Sequence, residues 1–409
     1  MKSTDVFAEG PDRVRLLLWS PKGAGEHYHG PGTATYRLYA SQPAGPFELT
    51  LGHGFSEQEK LALFARQCFV SDYSGRVLSQ GKFLAAAFRW LQLNGHQFDV
   101  FHGVSSFHAC ALPAAWAEQR GLRSVLRVAG YRSDLADKGG WRKLFGLPRR
   151  RRTLVRNLSG MVAISSAIAE ELLSYGVPER KIALIPNGVD TSRFQPLSSA
   201  DEKSALRARL GWRNATTIAF VGGINRRKQP HLLLEAVERL KSQGYDFHVV
   251  YAGPIDDVPY FEAMRHQIEQ AGLTSHVTWL GFTRDIARVY RAADVFVLPS
   301  SSEGMPNALL EAMATGLAVV STRVSGATDA ITHGENGTLV SRCKDAVAEA
   351  LVRYVRDDDV RNAHGDAARA RILDQFSASS VYQAHIKLFE SLVAGTGAPR
   401  DASLLAIGR

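Results

Sequence analysis

The sequence predicts an α/β protein of two Rossmann-like, doubly wound domains. Short apolar runs alternate with helix-length stretches, that alternation restarts after a polar connection, and 409 residues exceed what one hydrophobic core serves. A composition of 45% hydrophobic and 22% charged residues without low-complexity tracts describes a folded chain and excludes a disordered one.

In the first half, Val14-Arg15-Leu16-Leu17-Leu18-Trp19 reads as a buried strand, closed by the loop Ser20-Pro21-Lys22-Gly23. Further strands are expected at Phe98–Phe101, Ser124–Val128 and Gly160–Ile164, with helices at Ser106–Gly121 and Ser166–Tyr175. Residues 1–195 thus form an N-terminal, basic domain. The polar segment Thr191–Trp212 is the connection, with a short helix of its own.

Residues 196–377 repeat the pattern. Strands are expected at Ile218–Val221, Phe247–Tyr251, Val277–Leu280, Val295–Leu298 and Ala318–Ser321, and helices at Pro230–Gln243, Tyr260–Ala271 and Pro306–Thr315. Residues 378–409 hold a last helix, apolar at Val381, Ile386, Leu388, Phe389 and Leu392, and a tail. In open α/β sheets ligands sit at the carboxyl ends of the strands, so a cleft where the two domains face each other is the expected site.

The net charge of +9 resides wholly in residues 1–195, the remainder being balanced, so the first half is expected to meet something anionic: a phosphate-bearing acceptor, a membrane surface or a nucleic acid. No run is long enough to span a bilayer and no secretory signal opens the chain, which points to the cytoplasm. Cys68, Cys110 and Cys343 lack metal-ligand spacing and read as small hydrophobes.

The densest chemical signal is the strand, loop and helix from Leu298 to Gly316. Pro306 suits the first helical position and Gly316 the terminating one. The amides of Asn307, Ala308 and Leu309 would then offer an anion site suited to a diphosphate. Glu303 precedes this helix and Glu311 lies inside it, so the two carboxylates can serve different parts of one elongated ligand. After an earlier strand, Gly222-Gly223 permits close backbone approach and Arg226-Arg227-Lys228 could clamp phosphate oxygens. Asp357-Asp358-Asp359 contains a D-x-D pattern, but its place between helices makes it a cap rather than a metal site. Seven cations with interleaved Trp, Leu and Phe in residues 141–156 describe either a surface for anionic lipid headgroups or a solvated segment. No recognition module accompanies them, which argues against nucleic acid.

Together, Glu303 to Glu311, Gly222 to Lys228, Ile185-Pro186-Asn187-Gly188-Val189-Asp190, Gly281-Phe282-Thr283 and the Gly334 to Gly337 turn resemble the retaining, metal-independent GT-B glycosyltransferases of family 4. The resemblance implies a GT-B fold whose C-terminal helix returns to the N-terminal domain. It also implies transfer of a hexose from a UDP- or GDP-sugar to an acceptor hydroxyl with retention, in cell-surface polysaccharide or glycolipid synthesis. The acceptor would be a glycan or lipid-linked, the enzyme cytoplasmic or peripheral at the membrane, with no cofactor and no metal. Glu303, Glu311 and Lys228 would carry the catalysis: Glu303 on hydroxyls of the donor sugar, Glu311 on the ribose, and Lys228 with Arg227 or Arg226 on the diphosphate. Gly304, Met305 and Pro306 would line the donor beside Asn307, Ala308 and Leu309, Phe282 and Thr283 would edge the base, and Asn187, Gly223 and Gly32 of a Gly30-Pro31-Gly32 loop would complete the donor contacts. Two departures stand out, Gly223 where the family has an Arg and Ala129 where it has a His. They keep open a sugar-nucleotide-binding protein without transfer, and a same-fold epimerase or hydrolase.

Overall fold

The computed structural model of the chain describes residues 13–26, 30–42, 45–74, 77–131 and 153–395. The chain divides into two compact units, one running to Gly188 and resuming at Ser379, the other Val189–Ala378.

The first unit is built on a parallel seven-stranded sheet in the order β3-β2-β1-β4-β5-β6-β7. Its strands are β1 Val14–Ser20, β2 Phe47–His53, β3 Arg66–Phe69, β4 Val100–Gly103, β5 Arg123–Val128, β6 Gly160–Ala163 and β7 Ile182–Leu184. Helices α1 Gly30–Ala40, α2 Val77–Asn94, α3 His108–Glu118 and α4 Ser166–Ser174 cross between them. The central strands are mostly apolar because both faces are covered, with His102 of β4 and Arg127 of β5 as buried exceptions. Leu16, Leu18, Val100, Val125 and Val162 share one core cluster with Val381, Leu388, Phe389 and Leu392 of the last helix, which belongs to this unit from Ser379 onward.

The second unit repeats the plan with a parallel six-stranded sheet, β10-β9-β8-β11-β12-β13. The strands are β8 Thr216–Val221, β9 Phe247–Ala252, β10 Val277–Gly281, β11 Val295–Leu298, β12 Ala318–Thr322 and β13 Thr338–Val340. Around them lie α5 Ala200–Leu210, α6 His231–Ser242, α7 Val258–Gln270, α8 Ile286–Ala292, α9 Asn307–Ala314, α10 Ala327–Ala330, α11 Lys344–Arg356 and α12 Asp358–Arg371; α13, Ala378–Val393, is the last helix. Ile218, Phe220, Val249, Val295 and Val297 of the sheet pack against Leu233, Val237 and Leu240 of α6 and Leu351 of α11. Each such fully buried apolar side chain stabilises the fold by about 1.5–3 kcal/mol. The Asp357 side chain accepts from the Val360 amide at 2.9 Å and so caps α12, as its place between helices predicts. Among the described residues no helix is long and apolar enough to cross a membrane.

Candidate active site

In the second unit the strand order reverses between β8 and β11, which are direct neighbours. A doubly wound sheet opens a crevice at such a reversal, outside the carboxyl ends of the two strands. The two sequence constellations follow these strands: residues 222–228 leave β8 and residues 299–306 leave β11. The topology therefore brings together segments some seventy residues apart. Arg227 and Ser301 lock them, the Arg227 carbonyl accepting from the Ser301 amide at 2.8 Å and from its hydroxyl at 3.0 Å.

The loop after β8 is shaped by three glycines in close quarters. A Cβ on Gly253 would lie 2.1 Å from the Gly222 carbonyl oxygen, and one on Gly223 would lie 2.0 Å from Asp256 Oδ2. Asn225 then fixes the turn: its side-chain oxygen accepts from the amides of Arg227 at 3.1 Å and Lys228 at 2.9 Å, while its NH2 donates to Asp256 at 2.8 Å. Gln229 follows with φ of 51°, the one left-handed non-glycine residue among those described. Such strain persists only where surroundings enforce it, and here it sits beside a cation of the site.

Lys228 Nζ lies 2.8 Å and Arg227 Nη1 3.0 Å from the same oxygen, Oε1 of Glu303. Glu303 and Lys228 are largely buried, at 9% and 14% side-chain exposure, whereas Arg227 is half exposed. Attraction to the two cations is chiefly Coulombic, with a hydrogen bond from Lys228 as a smaller part. Burial alone would raise the Glu303 pKa, but Lys228 and Arg227 outweigh it and hold the carboxyl below its ordinary range. Glu303 is thus an anion, and two cations are gathered at a point where a diphosphate could displace it.

Helix α9 begins at Asn307, with Pro306 in the N-cap position rather than inside the helix. No side chain caps it. The Leu309 amide donates to the Pro306 carbonyl at 3.1 Å, so the first turn tightens and this amide is turned inward, where Asn307, Ala308 and Leu309 were all expected to face an anion. Glu311 is buried on α9, and its Oε2 accepts from the Tyr290 hydroxyl at 3.0 Å; that hydroxyl also lies 3.1 Å from the Ala308 carbonyl. Tyr290, fully buried on α8, holds this carboxylate and carries no sequence signal, since nothing local marks it as a partner of Glu311.

The remaining expected residues are distributed as follows. Phe282, 65% exposed, and Thr283 follow β10 on the same carboxyl edge, with the Thr283 hydroxyl accepting from the Asp285 amide. Arg226 is drawn aside, its Nε 3.3 Å from Asp257 and its guanidinium 5.5 Å from the Tyr260 ring centre, so Arg227 is the arginine that joins Lys228. Asn187 and Gly32 belong to the other unit. There Asn187 accepts from Arg127, and Gly32 lies in the first turn of α1 instead of in a loop. Of the cations in 141–156, all but Arg156 lie outside the described residues; Arg156 donates to the Gly176 carbonyl at 2.8 Å.

Comparison with known proteins matches residues 202–371 to the family described as glycosyl transferases group 1 and residues 49–193 to glycosyltransferase family 4. The chain belongs to glycosyltransferase family 4. This family 4 transferase therefore uses a nucleotide-sugar donor and belongs to a retaining, metal-independent class of enzymes. It is 27% identical over 364 residues to D-inositol 3-phosphate glycosyltransferase of Corynebacterium urealyticum, covering 85% of this chain and 80% of the other. It is 29% identical over 283 residues to the GDP-mannose-dependent alpha-(1-6)-phosphatidylinositol monomannoside mannosyltransferase of Mycobacterium tuberculosis, covering 66% and 71%. Anabaena HepE, solved in complex with UDP, shares the fold with a TM-score of 0.76 at 19% identity, over 92% of this chain and all of that one.

One brace of the transferase lies outside the expected residues. A Cβ on Gly326 would meet the Gly304 carbonyl oxygen at 2.5 Å and Met305 Cα at 2.7 Å, and its φ is +75°. The neighbouring Ser325 hydroxyl donates to the same Gly304 carbonyl at 3.1 Å. Gly326→Ala is expected to cost about 1–3 kcal/mol in left-handed strain and to push the 303–306 loop off its place. Donor KM should rise in steady-state kinetics more than the melting temperature falls; an unchanged KM would show the brace to be dispensable.

Proposed function

We propose that this transferase binds a UDP- or GDP-hexose across the β8/β11 crevice and passes the hexosyl group, with retention, to a hydroxyl of a glycan or lipid-linked acceptor in cell-surface polysaccharide or glycolipid synthesis. The observation that carries this reading is the buried Glu303 carboxylate meeting Lys228 and Arg227 at the reversal of strand order. In the proposed reaction the bond between the anomeric carbon and the diphosphate oxygen breaks, and the acceptor oxygen bonds to that carbon on the same face. The acceptor proton passes to the departing phosphate. Negative charge accumulates on the diphosphate as this happens, and Lys228, Arg227 and the amides at the start of α9 are the groups proposed to stabilise it. Glu303, released by the arriving diphosphate, turns to the sugar hydroxyls. Glu311, held by Tyr290, receives the ribose hydroxyls, and the Phe282–Thr283 backbone meets the base.

An anionic acceptor is supported by the +9 charge of residues 1–195 and by relatives whose names specify an inositol phosphate and a phosphatidylinositol mannoside. The basic stretch 141–156 is proposed to hold the enzyme at an anionic membrane face. Replacing arginines 149–152 by Ala should abolish sedimentation with phosphatidylglycerol vesicles while leaving UDP binding intact; undiminished sedimentation would remove the membrane from the proposal.

Calorimetric titration tests the donor site directly. UDP or GDP should bind without added metal, and Lys228→Ala should weaken that binding by about 10–100-fold, the value of one charge-assisted contact of about 1.5–3 kcal/mol. Equal affinity of the parent and Lys228→Ala proteins would overturn the assignment.

A further inference from the structure

The second unit has a cavity of about 540 Å³ at the opposite, amino edge of its sheet, within the size range of small-molecule sites. Thr216, which opens β8, Asp294, which precedes β11, and Leu317, which precedes β12, form part of its wall. The candidate active site lies at the carboxyl ends of these strands, so the cavity is a separate place.

Its charge is one-sided. Lys203, Arg207, Arg291 and Arg361 line it against only Asp294 and Asp358. Asp294 is shared by Lys203, at 3.1 Å, and Arg207, while Arg361 pairs with Asp358 at 2.8 Å. Arg291 has no carboxylate partner among the described residues; it donates to the carbonyls of Arg193 and Gln195, which orient the guanidinium without neutralising it. Arg207 and Asp294 are both buried, which fixes this side of the wall.

Beside the cations the wall offers neutral hydrogen-bonding groups, the amides of Asn214 and Asn362 and the hydroxyl of Ser204. A carboxylic acid or a bare ion would use one set and ignore the other. We propose that the cavity is a second ligand site, taking a small phosphate monoester of a hydroxylated molecule, its phosphate on the cationic wall and its hydroxyls on the amides and Ser204. The site also touches machinery of the first: Tyr290, whose hydroxyl holds Glu311, and Thr315–Gly316, where α9 ends, are both in its wall.

The test uses the full chain carrying Lys228→Ala, so that the phosphate-binding lysine of the donor site is gone and the outcome is independent of the donor reading. Glucose 6-phosphate and inorganic phosphate are titrated calorimetrically. Glucose 6-phosphate should bind saturably and more tightly than phosphate, and Ser204→Glu, which adds a carboxylate to the wall on a helical position, should weaken it at least tenfold. Lys203→Gln, which keeps a donor toward Asp294 but removes the charge, should do the same should Ser204→Glu fail to fold. Absence of saturable binding, or binding that neither variant weakens, overturns the site. Equal affinity for the two probes overturns the assignment of a hydroxylated ligand.

Discussion

Glu303→Gln is expected to reduce sugar transfer by about 10²–10³-fold while nucleoside diphosphate binds at least as tightly as it does to the parent protein. The two halves of this expectation have one origin. Oε1 of Glu303 neutralises Lys228 and Arg227, so an incoming diphosphate competes with a buried carboxylate for both cations. Amidation removes the competitor, leaving the cations to the phosphate, but it also removes the anion proposed to meet the sugar hydroxyls as the anomeric centre becomes electron-poor. Binding of the diphosphate and stabilisation of the transition state therefore separate, and kcat should fall with little rise in KM. Initial-rate kinetics and calorimetry with UDP or GDP check both. A loss of diphosphate affinity exceeding tenfold would mean that Glu303 organises the cations instead of competing for them. In the free enzyme Lys228 and Arg227 hold the Glu303 carboxyl below its ordinary range, so it meets the incoming diphosphate as an anion at neutral pH.

The parts of the fold written in the sequence are those whose causes are local. Strands β1, β5, β6, β8, β9, β11 and β12 announce themselves as apolar runs because a parallel sheet covered on both faces needs no polar alternation. Of the edge strands β10 is legible, at Val277–Leu280, but the others are not: β3 is a partly exposed four-residue strand, Arg66–Phe69, and β7 and β13 have three residues each. Strand β2 was hidden in another way, Phe47-Glu48-Leu49-Thr50-Leu51-Gly52-His53 being broken by polar residues; a Cβ on Gly52 would lie 2.6 Å from the Trp19 ring. Within the site, Lys228 and Glu303 lie in windows of glycines and serines that mark ligand-facing loops. Tyr290 with Glu311, 21 residues apart, and Gly326 with Gly304 are held together by tertiary packing, which no local pattern encodes. The Leu309 amide shows the same limit on a smaller scale, because whether a first turn tightens is decided by where Pro306 falls relative to the helix start.

The largest loss of stability is expected from Asp294→Ala, about 3–5 kcal/mol by urea denaturation. Asp294 sits at the amino edge of the second sheet with 9% of its side chain exposed, facing Arg207 at 8% and Lys203 at 33%, and it also accepts from the Thr217 amide at 2.8 Å. Removing it leaves the Arg207 guanidinium buried without its carboxylate, and desolvation of that unpaired charge outweighs the missing hydrogen bond to Thr217. In an Arg207→Met background the same substitution should cost less than half as much, because the cation that suffers is gone; an undiminished cost there would place the effect on Thr217 or Lys203 instead. The pH dependence follows from the same ion pairs. Burial would raise the Asp294 pKa, but Lys203 and Arg207 overcome it and the carboxyl lies below its ordinary range. A depressed folded-state pKa supplies stability that is present above the unfolded carboxylate's pKa of about 4 and is lost as the pH falls through the folded value. The parent protein should therefore lose stability between about pH 4 and lower values more steeply than Asp294→Ala, so the difference between them narrows in acid. Parallel acid profiles of the two proteins would show that the ion pair is not the source of the stabilisation.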